Sequence, residues 1–215
     1  MGYASTALRS GASLVTPQFL GIGTDSDVDL QSIKCRDEDS DVVVLNVLDE
    51  VGLVVANYFW INYGGEGGDE SCWVDDNYEK VTNVKFAPGQ AFWVEGESEE
   101  NLFQSAGKVG TSDVAVQLQA GATTCGNCSP VEIDLQDIRC RDEDSDLVVL
   151  NVLDEVGLVV ANYFWINYGG EGGDESCWVD DNYEKVTNVK FAPGQAFWVE
   201  GDSEENVITF PGVEL

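Results

Sequence analysis

The sequence predicts an all-β protein of two tandem homologous domains, residues 1–110 and 111–215, each a β-sandwich or small barrel stapled by a disulfide. Three observations carry this expectation. Residues Cys35 to Asn101 return almost letter for letter as Cys140 to Asn206, differing only in Val42 against Leu147 and Glu97 against Asp202. A period of about a hundred residues is a whole domain copied rather than one turn of a solenoid. Helical periodicity is nearly absent, while short runs of Val, Tyr, Phe, Trp and Ile are punctuated by Gly, Pro and Asp. An apolar content of 43% is enough for two modest cores.

In chain order, Tyr3, Ala4, Ser5, Thr6, Ala7 and Leu8 alternate loosely and end at Arg9-Ser10-Gly11, which reads as a strand and turn. The counterpart, Asp113 to Leu118, places the domain boundary near Gly110. The two arms then differ, because the second is shorter and carries Cys125-Gly126-Asn127-Cys128 where the first has Val15 to Gln18. They reconverge at Asp29-Leu30-Gln31 and Asp134-Leu135-Gln136.

Inside the repeat, the acidic loop Arg36 to Asp41 precedes an apolar run, Val42 to Leu48, of the kind a strand covered on both faces shows. Asp49 to Gly52 reads as the turn of a hairpin whose second strand is Leu53 to Tyr63. Gly64 to Asp69 reads as a loop, and Trp73 to Val84 as a turn-rich stretch with room for one helical turn. Ala87-Pro88-Gly89 has the composition of a β-turn, followed by a strand over Gln90 to Glu95. Glu97 to Glu100 reads as an acidic turn, and Leu102 to Ser105, matched by Val207 to Phe210, as the closing strand.

Forty acidic against ten basic residues, with no histidine, give a formal charge of −30. A field of that sign repels nucleic acid and anionic lipid, and no stretch is apolar for long enough to span a bilayer as a helix. Met1-Gly2-Tyr3 reads as a mature start, so a secretory signal would have been left off.

The six cysteines form an even set in which Cys35 and Cys72 recur as Cys140 and Cys177. This predicts one disulfide per domain in an oxidising compartment, two sulfurs being too few for zinc. Cys125 and Cys128 read as a small local disulfide, because Pro130 and the lack of a following helix weaken a redox-motif reading.

The absence of histidine removes Ser-His-Asp and Cys-His nucleophilic sites, and Gly64 to Gly68 lacks the Lys-Ser/Thr and helix of a phosphate loop. No spacing singles out a carboxylate pair for glycoside hydrolysis, so no enzyme is expected. Asp37, Asp39 and Asp41, with Asp142, Asp144 and Asp146, are the best candidates for calcium, an oxygen-seeking cation, against the alternative of a solvated acidic turn. Of the tryptophans, Trp73 and Trp178 are expected to be exposed and to offer stacking surfaces for sugar rings, whereas Trp93 is expected to be core. Asn127-Cys128-Ser129 fits the glycosylation pattern with a cysteine that makes it a poor acceptor.

Gly2-Tyr3, the stretch Pro130-Val131-Glu132-Ile133-Asp134-Leu135-Gln136-Asp137-Ile138, and Pro88-Gly89-Gln90-Ala91-Phe92-Trp93-Val94 with its copy at Pro193 to Val199 span most of the chain. In these motifs the chain resembles a set of secreted, acidic, two-domain bacterial β-proteins with no assigned activity. The resemblance implies a surface or extracellular role and carries no catalytic residues. The near-identity of the two halves departs from that pattern and points to recent duplication or to selection for equivalent packing surfaces.

The resulting expectation is a non-catalytic extracellular structural protein that polymerises head to tail into a filament or surface layer, with Tyr3 to Leu8 or the tail Val207 to Leu215 as strands that could pair with a neighbour. The alternative is a bivalent calcium-dependent carbohydrate-binding protein or adhesin.

Overall fold

The structure is a computed structural model, and it describes residues 1–8, 10–22, 26–36, 43–49, 53–61, 71–96, 101–141, 148–154, 156–166 and 176–214. Among these residues the regular structure is antiparallel β, with two short 3-10 turns and no α-helix.

The first half contributes β1 (Gly2–Ala7), β2 (Gly11–Val15), β3 (Val28–Asp29), β4 (Lys34–Arg36), β5 (Val43–Leu48), β6 (Val54–Ile61), β7 (Cys72–Val74), β8 (Lys85–Phe86), β9 (Phe92–Gly96) and β10 (Leu102–Gly107). The second contributes β11 (Val114–Gln117), β12 (Gly121–Gly126), β13 (Ile133–Asp134), β14 (Arg139–Arg141), β15 (Val148–Leu153), β16 (Val159–Ile166), β17 (Cys177–Val179), β18 (Lys190–Phe191), β19 (Ala196–Gly201) and β20 (Val207–Phe210).

Each half builds the same three sheets: five strands in the order β2-β9-β5-β6-β7 or β12-β19-β15-β16-β17, three in the order β1-β10-β4 or β11-β20-β14, and the ribbon β3-β8 or β13-β18. The register repeats as well: Val43 faces Trp60 as Val148 faces Trp165, with a bulge after Val47 and after Val152.

Strand alternation explains the burial. Val43 and Leu45 of β5, and Phe92 and Val94 of β9, point inward and are wholly buried, whereas Val44 and Trp93 on the opposite face are half-buried. Each half has its own apolar core, one drawn from Leu8 to Phe103 and the other from Leu118 to Phe210. Within each, an edge-on tryptophan pair repeats, Trp60 on Trp73 and Trp165 on Trp178, with ring centroids 5.4 Å apart in both.

The Asp-Leu-Gln motif proves to be architectural. Asp29 Oδ1 accepts from the Gln31 amide (2.8 Å) and caps the 3-10 turn Leu30–Ser32, while Leu30 is buried. The Gln31 side-chain Nε2 then donates to Trp73 O (2.9 Å) and Val81 O (2.8 Å), tying the 3-10 turn to two segments that also bond to each other through Val81 N and Trp73 O. Gln136 does the same with Trp178 and Val186.

The stretch after β7 forms a turn and no helix. Asp75 Oδ1 accepts from the amides of Asn77 and Glu79, and Tyr78 takes a left-handed φ of 60°.

The expected disulfides are corrected: none of Cys35, Cys72, Cys125, Cys128, Cys140 and Cys177 is joined in one. Cys35 lies on β4 in the three-stranded sheet, and Cys72 on β7 at the edge of the five-stranded sheet. Cys140 and Cys177 likewise lie in different sheets, on β14 and β17. Sheet hydrogen bonds fix each backbone position independently, and a disulfide needs Cα atoms at a narrow separation that matching sequence spacing does not guarantee.

Candidate functional site

The feature that both halves build together is their joint, and its residues are those of the Pro-Gly motif. Ala87-Pro88-Gly89-Gln90 closes a β-turn with Gln90 N donating to Ala87 O (3.1 Å), and Gly89 supplies the positive φ of 80° that the third position of such a turn demands. Pro193-Gly194 repeats it, with φ 76° at Gly194.

Each turn packs on the other half. A Cβ on Gly89 would lie 2.8 Å from the Val116 side chain on β11, and one on Gly194 would lie 2.7 Å from the Gln18 amide. The backbone contacts are reciprocal. Val15 bridges to Gln195 while Gln90 bridges to Cys125. Thr16 N donates to Gly194 O (3.2 Å) while Gly126 N donates to Gly89 O (3.0 Å). Because Val15 and Cys125 hold equivalent positions, as do Thr16 and Gly126, the same face of each half is used and the contact is isologous.

The symmetry breaks where sterics and chemistry require it. Thr16 and Gly126 approach so closely that a Cβ on Gly126 would sit 2.8 Å from Thr16 Cγ2 and 2.6 Å from Gln195 O. Asn127 N donates to Gln195 O (2.9 Å), a bond that Pro17 cannot make at the equivalent place. There the Thr16 hydroxyl donates to Gln90 O instead (2.8 Å).

Two equivalent clefts flank the joint. One, of about 340 Å³, lies between Thr6, Ala12 and Leu14 of the first half and Leu153, Asp154 and Pro193 of the second. Its twin, of about 430 Å³, lies between Val116, Ala122 and Thr124 of the second half and Leu48, Asp49 and Pro88 of the first. Trp93, the cross-strand partner of Leu14 in the first cleft's lining, is half-buried, and a Cβ on Gly157 of the opposite hairpin would touch its ring at 3.4 Å.

The tryptophan expectations therefore invert. Trp73 and Trp178 are fully buried, and their indole N–H groups donate to Ile33 O and Ile138 O at 2.8 Å, so neither offers a stacking surface. Trp93 and Trp198 are the partly accessible ones. The cause is strand parity: a tryptophan one residue from a buried phenylalanine on the same strand must face the other side.

Tyr3, Ala4, Ser5, Thr6, Ala7 and Leu8 are engaged within the molecule. β1 pairs with β10 along its whole length, Leu8 is buried, and Thr6 Oγ1 accepts from Gln18 Nε2 (2.8 Å) against Gly194 of the other half. The tail strand β20 is central in its sheet, with β11 on one edge and β14 on the other, so Val207 to Phe210 has no edge to offer a neighbour.

The calcium candidates Asp37, Asp39, Asp41, Asp142, Asp144 and Asp146 lie outside the described residues. Among the described residues no cluster of three or more His, Cys, Asp or Glu side chains is placed to hold a metal. Asn127 is fully buried, with its Nδ2 donating to Val131 O (2.9 Å), which closes it to glycosylation. Burial pushes the Cys128 thiol up to about 11, and the Cys125 thiol higher still, with the field of Cys128 adding to the effect of burial.

Sequence reasoning missed the exposed start of the second hairpin strand. Leu53, Val54 and Val55 are 64%, 50% and 62% exposed, and Leu158, Val159 and Val160 are 64%, 51% and 62% exposed. On one side β6 is paired with β5 from Val54 onward. On the other, β7 covers only Phe59 to Ile61, so the outer edge of Val54 to Tyr58 carries no strand among the described residues. β16 repeats this, with β17 covering only Phe164 to Ile166. Among the described residues no helix is long and apolar enough to cross a membrane.

Comparison of the chain with known protein families, with curated proteins and with solved structures gave no match.

Proposed function

We propose that this chain is a non-catalytic extracellular structural protein, built of two tandem β-sandwich domains, that self-assembles head to tail into a filament or cell-surface layer. The observation that carries this reading is the pair of apolar strand edges on β6 and β16, identical in sequence and open among the described residues. An open edge of exposed valines is a template for another strand, and soluble monomers normally blunt such an edge with charge or proline. Two equivalent edges per molecule, β6 of one copy pairing with β16 of the next, generate an open chain and no closed ring is required. The patch continues into the joint, since the adjoining hairpin tip at Gly157 rests on Trp93.

The face between the halves closes within the molecule, so growth uses these edges and leaves the Pro-Gly turns in place. A partner other than itself has no charge basis in nucleic acid or anionic membrane at −30.

The test is negative-stain electron microscopy with light scattering on the purified chain and on the double variant Val55→Lys with Val160→Lys. Fibres or sheets from the parent and dispersed particles from the variant are expected. Dispersed particles from the parent at every salt and calcium concentration would end the self-assembly reading.

The twin clefts, lined by Leu14 and Thr124, the cross-strand partners of the half-buried Trp93 and Trp198, favour a second reading as a bivalent glycan-binding protein, with Trp93 and Trp198 replacing Trp73 and Trp178 as the stacking candidates. Glycan-array binding lost in Trp93→Ala with Trp198→Ala supports it.

A further inference from the structure

Strand register places an aromatic and a charged side chain at the border of each twin cleft. In β2 and β9, Ala12 faces Glu95 and Leu14 faces Trp93, and Ala12 and Leu14 both line the first cleft. In β12 and β19, Ala122 faces Glu200 and Thr124 faces Trp198, and Ala122 and Thr124 both line the second. Residues directly opposite on one face of a sheet have Cβ atoms about 5 Å apart, so an indole and a carboxylate border each cleft. Residues two apart on a strand share a face at a separation of about 7 Å, and Trp93 stands in this relation to Glu95, as Trp198 does to Glu200.

A buried amide holds each of these carboxylates. Asn46 is 6% exposed, pairs with Trp93 across the strands, and reaches diagonally so that its Nδ2 donates to Glu95 Oε1 (2.8 Å). Asn151, also 6% exposed, pairs with Trp198 and donates to Glu200 Oε1 (3.3 Å). Both glutamates are themselves exposed, so each carboxylate is oriented by a buried partner while remaining open to a ligand.

The charge around the clefts has one sign. Asp154 lines the first cleft and Asp49 the second, each on the wall supplied by the opposite half, and among the described residues no lysine or arginine lines either. In a chain of net charge −30, such a site repels an anionic sugar, gives no long-range pull to a neutral one and attracts a cation. The face of an indole attracts a cation as well. The linings also supply amide and hydroxyl groups, Gln195 and Thr6 in the first cleft and Gln90 and Thr124 in the second. These suit a ring that carries hydroxyls beside its charge, which a simple alkylammonium does not.

We infer that each cleft binds a protonated amino sugar, with the pyranose ring stacked on Trp93 or Trp198 and its ammonium bonded to Glu95 or Glu200. The inference rests on the second, glycan-binding reading and narrows it to saccharides with free amines. Two clefts of one design on a single chain give a polymer of such sugars two attachment points and a corresponding gain in avidity.

The test is isothermal titration calorimetry of the whole chain at low ionic strength, at a pH between the carboxylate pKa values and that of the sugar amine. Three β-1,4-linked trisaccharides that differ in one ring substituent are compared: those of glucosamine, N-acetylglucosamine and glucose. Trilysine serves as a cation without a sugar ring. The glucosamine trimer is expected to fill two sites per chain, with affinity falling about 10- to 100-fold for the other two sugars, the effect of losing one charge-assisted hydrogen bond. Glu95→Gln with Glu200→Gln keeps an oxygen acceptor for Asn46 and Asn151, and is expected to remove the preference for the amine while leaving weak binding of all three sugars. Equal affinity for the three trisaccharides in the parent chain would overturn the inference and leave the glycan-binding reading standing, whereas binding of none would end both. Trilysine held as tightly as the glucosamine trimer would overturn the amino-sugar assignment, and a preference for the amine that survives both glutamine substitutions would overturn the role of Glu95 and Glu200.

Discussion

At the scale of single residues, Trp73 ties the first half's core together, as Trp178 does the second's. It is fully buried, edge-on to Trp60, bonded through its indole to Ile33 O, and clamped through its backbone to Gln31. Trp73→Phe keeps a ring but leaves the Ile33 carbonyl without its donor, so a loss of about 1–3 kcal/mol is expected from urea melts. Trp73→Ala adds a cavity and is expected to cost about 3–5 kcal/mol. The acidic turn beside it has its own pH signature. The Glu79 amide donating to the Asp75 carboxylate, with the Asn77 amide helping, holds that carboxyl below its ordinary 3.8, and Asp180 is lowered in the same way by Glu184 and Asn182. A depressed carboxyl stabilises the fold above its unfolded value and ceases to do so as pH falls through the folded one. Carboxyl NMR titrations of Asp75 and Asp180 are therefore expected to show midpoints below those of carboxyls with no amide partners.

At the scale of elements, β12 and its partner turn decide whether the halves stay together. Gly126→Ala places a methyl against Gln195 O and Thr16, so the joint must open; a loss of roughly 1–3 kcal/mol is expected in thermal or denaturant unfolding. The strands themselves were largely legible. The apolar run from Val42, the hairpin after it, the Pro-Gly turn and the closing strand at Val207 all occur within a residue or two of where composition and turn chemistry placed them. What stayed hidden depended on long-range pairing. The exposure of Trp93 and the burial of Trp73 follow from which face of a sheet meets the core, and the assignment of Cys35 and Cys72 to different sheets follows from the strand pairing. The open edge of β6 depends on β7 being only three residues long, and the sequence of β6 alone does not reveal it. The Asp-Leu-Gln motif was visible as a pattern, but its clamp on Trp73 and Val81 spans 42 and 50 residues of chain.

For the whole molecule, charge sets the conditions under which copies meet. With −30 on each chain, approach of two edges is opposed by a long-range field that salt weakens, the screening length falling from about 30 Å at 0.01 M to about 8 Å at 0.15 M. Assembly followed by light scattering is accordingly expected to accelerate as sodium chloride is raised over that range. An assembly rate that falls with salt would mean that attraction between opposite charges, and not apolar edge pairing, drives the contact.

The isologous joint also bears on how the chain finds its shape. Residues 43–61 and 148–166 are the same sequence, so at the moment of collapse every hairpin has two addresses: the place between β9 and β7 in its own half, and the matching place in the other. Both offer the same strand order and a closely similar core, differing at positions such as Phe103 against Ile208 and in the length of chain that must cross between halves. Duplication that secures two equal surfaces thus also builds a near-degenerate competitor into the folding landscape, the kind of trap to which tandem repeats are prone. The first strands, β1 and β2 against β11 and β12, are where the copies have diverged, and they are the segments with which each half can recognise its own.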